Sequence, residues 1–92
     1  MAKLVVIAQC KDPVKWEESF RTHADLFRSQ TVTRPISYGI VEGNQVAVCL
    51  EPDDFAACMR VMNSPATAEA MDRDGVLRDT VKMFVLDHEL KV

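Results

Sequence analysis

Apolar and polar positions along this chain follow two different periods, and the switches between them mark its elements. "KLVVIAQ" (3–9) is a short apolar run rich in β-branched side chains, which predicts a buried strand. From Asp12 to Phe27 the spacing becomes helical. At 100° per residue, Trp16, Phe20, His23 and Phe27 fall within roughly 60° of arc. Lys15, Glu17, Glu18, Arg21, Thr22, Asp25 and Arg28 occupy the opposite side, with Val14 the one apolar exception. Asp12 can cap this helix, and Pro13 suits its first turn, where a missing N–H costs nothing.

"PISYGIV" (35–41) and "QVAVCLE" (45–51) predict two strands joined by a two-residue turn at Gly43-Asn44, both of which accept positive φ. That turn sets Val41 opposite Val46 and Tyr38 opposite Cys49. One face then holds Ile36, Tyr38, Ile40, Ala47 and Cys49, and the other holds Ser37, Gly39, Val41, Val46, Val48 and Leu50. In "PDDFAACMRVMN" (52–63), Phe55, Cys58, Met59 and Met62 are spaced as a second amphipathic helix, with Asp53-Asp54 as caps. Helical structure restarts at Ser64-Pro65 and stops at Gly75. "TVKMFVLDHEL" (80–90) predicts a last strand, with Val81, Met83 and Val85 on one face and Phe84, Leu86, His88 and Leu90 on the other.

The resulting order is β-α-β-β-α-β, an α+β, ferredoxin-like plan with an antiparallel four-stranded sheet. The helices of one chain can cover one face of that sheet. Since both faces are apolar, the second calls for another sheet, which a homodimer supplies.

Composition sharpens this picture. With 92 residues there is room for one domain, spanning 1–92, and such a chain buries only about 60–65% of its unfolded surface. Yet 48% of its residues are apolar, a surplus that fits a partner surface. Eleven basic against fourteen acidic residues, with no basic run, argue against nucleic acid as a partner. The longest apolar run is too short to span a membrane, and the first residues lack the pattern of a signal peptide. Three cysteines with no C-x-x-C pair fit reduced thiols in a cytoplasmic protein.

Candidate chemistry centres on His23, a polar ring in the middle of an aromatic arc. A neutral imidazole there can bind a ligand hydroxyl or carbonyl, or act as a base. The alternative is a core histidine satisfied by Ser19, a backbone carbonyl or water. Trp16, Phe20 and Phe27 are core residues by spacing and the natural walls of any cavity. Tyr38, with small neighbours, has room beside them. Arg34 reads as a solvated loop residue. Asp87 and His88 point to opposite faces of a strand and cannot easily share a metal ion, so no metal site is expected. His88 is expected to end the inner face of the last strand near a subunit interface. No nucleophile–base constellation or phosphate loop is present.

A β-α-β-β-α-β unit of this length, with "W…F..H" on its first helix and "SP…AEAM…GV" before its last strand, resembles the dimeric α+β barrel superfamily. That group includes antibiotic-biosynthesis-monooxygenase-like and stress-responsive barrel proteins. The resemblance implies a dimer whose two sheets pack into a barrel, with a cavity in each subunit between helices and sheet. Trp16, Phe20, His23 and Phe27 would face that cavity. Monooxygenase-like members combine Trp with Asn, Tyr, Arg or His to bind a polycyclic phenol and direct its oxidation without a cofactor. Here Trp16, His23 and Tyr38 are available, whereas Asn44 and Asn63 fall at a hairpin and a helix end. In haem-degrading relatives an axial ligand is needed, and His23 is the helix-one candidate. The expectation is a homodimer that binds a small hydrophobic or aromatic molecule through Trp16, Phe20, Phe27 and Tyr38. His23 would be its catalytic base in a monooxygenase-like or isomerase-like version, and no cofactor is expected. The rival is a non-catalytic dimerisation or ligand-sensing module.

Overall fold

In the computed structural model, which describes residues 2–92, four strands and four short helices follow the order β-α-α-β-β-α-α-β. They are β1 (Lys3–Cys10), α1 (Pro13–Phe20), α2 (Ala24–Ser29), β2 (Ser37–Val41), β3 (Gln45–Leu50), α3 (Phe55–Met62), α4 (Pro65–Arg73) and β4 (Val76–Leu86). The strands form one antiparallel sheet in the order β2-β3-β1-β4. This is the ferredoxin-like arrangement, with the helices packed over one face.

The first crossover is not one helix. Thr22 N–H and Oγ1 both donate to the Ser19 carbonyl, at 3.0 and 2.6 Å, and His23 N–H donates to Phe20 O at 3.2 Å. These tight turns end α1, and His23 (φ −93°, ψ 29°) becomes the N-cap of α2. No Gly or Pro marks the break, so hydrophobic spacing runs through it unchanged. At the other end of α2, Thr31 adopts φ 61°. Its N–H donates to Arg28 O and that of Val32 to Phe27 O, a Schellman closure that buries Val32. Thr31 Oγ1 also accepts from Asp54 N–H at 2.9 Å, tying this corner to the start of α3.

Two strand details differ from expectation. The β2–β3 turn has three residues, Glu42, Gly43 (φ 76°) and Asn44 (φ 61°), so Val41 lies opposite Gln45 and Tyr38 opposite Val48. One added turn residue shifts the register by one, and side chains then share faces differently. Tyr38 and Ile40 join Val46, Val48 and Leu50 on the helix-facing side, where Ile40 stays about half exposed. Ser37, Gly39 and Val41 join Ala47 and Cys49 on the other face. The last strand begins at Val76 and ends at Leu86. Between Gln9↔Leu77 and Ile7↔Lys82 it carries a bulge, where Thr80 Oγ1 accepts from Gln9 N–H at 2.9 Å. His88 therefore lies beyond the strand and ends no inner face; it is exposed and pairs with Asp87 at 3.4 Å.

Leu4, Trp16, Val46, Val48, Leu50 and Cys58 form the centre of the core between sheet and helices. The opposite face carries Val5, Ile7, Ala47 and Cys49, with Val41, Phe84 and Leu86 about half exposed. Among the described residues nothing covers it.

Candidate active site

Between sheet and helices lies a cavity of about 80 Å³. Its floor is the helix-facing side of the sheet, where Val6, Ala8, Val46, Val48 and Leu50 alternate with outward-facing neighbours. One wall comes from the first crossover through Trp16, Phe20, His23 and Phe27. Met62, Thr67, Ala70 and Met71 of α3 and α4 form the other. The Trp16 and Phe20 rings stack at 4.7 Å and 21°, and Phe27 lies 5.1 Å from Phe20 at 59°. Offset and tilted pairs of this kind add roughly 0.5–1.5 kcal/mol beyond area burial and hold the wall in place.

His23 is the polar point of that wall. Its Nε2 lies 2.7 Å from Oδ1 and 2.9 Å from Oδ2 of Asp74, and both side chains are nearly buried. Ser19 Oγ donates to the same carboxylate. A carboxylate accepts only, so Nε2 carries the proton, and in the neutral ring Nδ1 holds the lone pair. Among the described residues the one side-chain N or O atom both sealed from solvent and without a partner is Gln30 Oε1. His23 Nδ1, which bonds to none of them, is thus open to solvent or to a ligand. The geometry can therefore orient an imidazole by its far nitrogen and hold a positive charge on it if Nδ1 takes up a proton. Ser19 bonds to the carboxylate and not to the imidazole, so the three do not form a nucleophilic triad.

Tyr38 is not brought to the cavity. Its ring packs edge-on behind Trp16 (5.7 Å) and Phe20 (5.4 Å). Its hydroxyl donates to Glu17 Oε2 at 2.6 Å and accepts from Arg21 Nη1 at 2.7 Å. Donation to the Glu17 carboxylate is the main reason its pKa is raised above 10.0, with Arg21 opposing, so the phenol stays protonated. Arg34 pairs with Glu51 at 3.0 Å. Asp54 caps α3 through Ala57 N–H, and Asp53 accepts from Thr33. Burial pushes the Cys58 thiol above 9.0 and, aided by the charge of Asp12, does the same to Cys10. Neither thiol is poised as a nucleophile. Among the described residues no three His, Cys, Asp or Glu side chains are grouped to hold a metal ion.

Among the cavity residues that sequence reasoning missed, Asp74 and Gln30 each had a signal. Asp74 stands at the C-terminal end of α4, where the helix dipole disfavours an anion, so a carboxylate there demands a tertiary partner. Gln30 lies two helical turns past His23, on the same arc as Trp16 to within about 40° at 100° per residue. A window closed at Phe27 leaves it out.

No family model matches the sequence, and no curated protein is similar to it. Solved structures are similar over nearly the whole chain. SnoaB, a cofactor-independent oxygenase from Streptomyces nogalater, is 16% identical with a TM-score of 0.71, over 99% of this chain and 95% of its own. An antibiotic biosynthesis monooxygenase-like protein from Bordetella bronchiseptica reaches a TM-score of 0.75 at 8% identity, covering 97% of each. An ethyl tert-butyl ether D (EthD) family protein from Bacillus halodurans is 18% identical with a TM-score of 0.62, over 97% and 99%. The chain thus has the ferredoxin-like fold of antibiotic-biosynthesis-monooxygenase-like proteins. Among the described residues no helix is long and apolar enough to cross a membrane.

Proposed function

We propose that the cavity binds a small hydrophobic or aromatic molecule, with His23 Nδ1 as its polar contact and Trp16, Phe20 and Phe27 as its walls. The observation that carries this reading is an oriented imidazole, backed by a buried carboxylate, in a space lined mostly by apolar side chains. Its Nε2 is bound by Asp74 and its Nδ1 bonds to none of the described residues, which leaves that nitrogen to water or to a ligand. In the enzyme version, a ligand O–H or activated C–H gives its proton to Nδ1. The ligand is left as an electron-rich anion, and Asp74 stabilises the imidazolium. The likeness in fold to SnoaB, a cofactor-independent oxygenase, supports this version. The reading extends to a homodimer, supported by the uncovered apolar sheet face, and to a reducing cytoplasm, supported by three unpaired cysteines.

The size of the cavity favours a second reading. About 80 Å³ is less than the ~150 Å³ that holds benzene in an engineered cavity. A ring can enter only if the flexible thioethers of Met62 and Met71 yield. A non-catalytic module would keep this space filled by its own side chains. Methionine methyl NMR distinguishes the two. Titration with 2-naphthol should shift the Met62 and Met71 signals among the five methionines. Unchanged spectra up to the solubility limit would leave the module reading in possession. Oxygen uptake with a bound phenol, lost in His23→Phe, would establish the enzyme version.

A further inference from the structure

We propose that Gln30 is a second polar reading point of the cavity, so that the ligand carries a hydrogen-bond donor at each of two ends. This rests on the reading of the cavity as a binding site. Gln30 is the C-cap of α2, is 2% exposed, and forms part of the cavity wall. Its Nε2 donates to Met62 Sδ at 3.4 Å. A thioether sulfur accepts and does not donate, which assigns the NH₂ to that side of the amide and the carbonyl to the other. That carbonyl, Oε1, is sealed and without a partner among the described residues.

A buried acceptor left unmade is costly, and native structures rarely keep one without a purpose. The Schellman closure at Thr31–Val32 fixes the backbone of Gln30, so the amide cannot easily swing out to water. What can move is the neighbouring Met62 thioether, an unbranched and flexible side chain. The room opened as Met62 gives way admits the ligand body, and a ligand donor on the carbonyl side of the amide would satisfy Oε1.

His23 and Gln30 lie at opposite ends of α2, about 10 Å apart along its axis from the helical rise. Leu26 and Phe27, which line the cavity between them, contribute no side-chain polar atom. The ligand that fits this spacing has an apolar body with one donor for Nδ1 and another for Oε1. Both protein groups are acceptors in these states, so an ether or a carbonyl at either end is rejected.

The test compares 2,6-dihydroxynaphthalene with 6-methoxy-2-naphthol, which has lost one donor, on the wild-type chain and on Gln30→Met. Calorimetry should show the diol binding about tenfold more tightly to the wild type, the scale of one unmade buried hydrogen bond. In Gln30→Met the two should bind alike. The variant should also melt a few degrees higher, because an apolar group of similar shape replaces an unpaired carbonyl. Equal binding of both probes to the wild type would overturn the role of Gln30 while leaving the cavity reading intact. A preference that survives Gln30→Met, or a lower melting temperature in that variant, would overturn it too. The second result would mean that a protein group or trapped water already satisfies the carbonyl. Binding of neither probe would remove the cavity reading and this inference together.

Discussion

Truncating Asp74 to Ala removes the anchor of His23 and the acceptor of Ser19 at once. Hydrogen bonds to a charged group contribute about 1.5–3 kcal/mol each, and Asp74 accepts from both Nε2 and Ser19 Oγ. Against that stands relief at the C-terminus of α4, where removing a negative charge gains roughly 0.3–1 kcal/mol. The side chains of the His23–Asp74 pair are only 11% and 5% exposed, so solvent screening discounts little. The anchoring loss wins, and the net cost should be about 2–6 kcal/mol. For a domain of this size that lowers the melting temperature by about 8 °C or more. Thermal unfolding followed by circular dichroism reads the single variant. A double-mutant cycle with His23→Ala isolates the pair, whose coupling should be about 1–3 kcal/mol. A loss below about 0.5 kcal/mol for Asp74→Ala, or strictly additive variants, would refute an anchored imidazole. His23 would then be an ordinary core residue that happens to lie near a carboxylate.

The remaining predictions concern thiols and assembly. Once the sheet face is freed of a partner, as in Phe84→Arg, iodoacetamide at neutral pH should modify partly exposed Cys49 well before buried Cys10 and Cys58, as mass spectrometry of peptides would show; equal labelling would contradict the burial pattern. Because Cys58 and Cys10 titrate higher in the fold than 9.0, the native chain holds more protons than the unfolded one above that point. Their contribution to stability is complete below about pH 9 and is lost as pH rises through the folded values, so urea midpoints should fall in that window. In Cys58→Ala part of this fall should disappear. Phe84→Arg places a charge on the uncovered sheet face. Light scattering should find a folded monomer where the parent chain is a dimer, and a parent chain that is already a stable monomer would sink the two-faced-sheet argument.

The fold was legible because the two apolar periods, Asp12, Pro13 and Gly75 speak through local rules. The division of the first crossover was not, since Thr22 and His23 are common helix residues and only the turn geometry separates α1 from α2. The β2–β3 register was misread by one residue: Gly43 and Asn44 both accept positive φ, and nothing local says that Glu42 joins them in the turn. The aromatic wall and His23 were legible from their shared arc. Asp74 was not, because its partner lies 51 residues away in the sequence. Tyr38 was expected in the pocket on a register that the added turn residue displaces, and its hydroxyl is taken up by Glu17 and Arg21.

The central claim, that His23 is the polar contact of a binding cavity, is tested most directly by calorimetry of 2-naphthol against 2-methoxynaphthalene. The wild-type chain should prefer the naphthol by about tenfold or more, as expected when a donor reaches an oriented imidazole. In folded His23→Phe that preference should vanish while the residual affinity for both compounds persists. Equal affinities in the wild-type chain, or an undiminished preference in His23→Phe, would contradict the account.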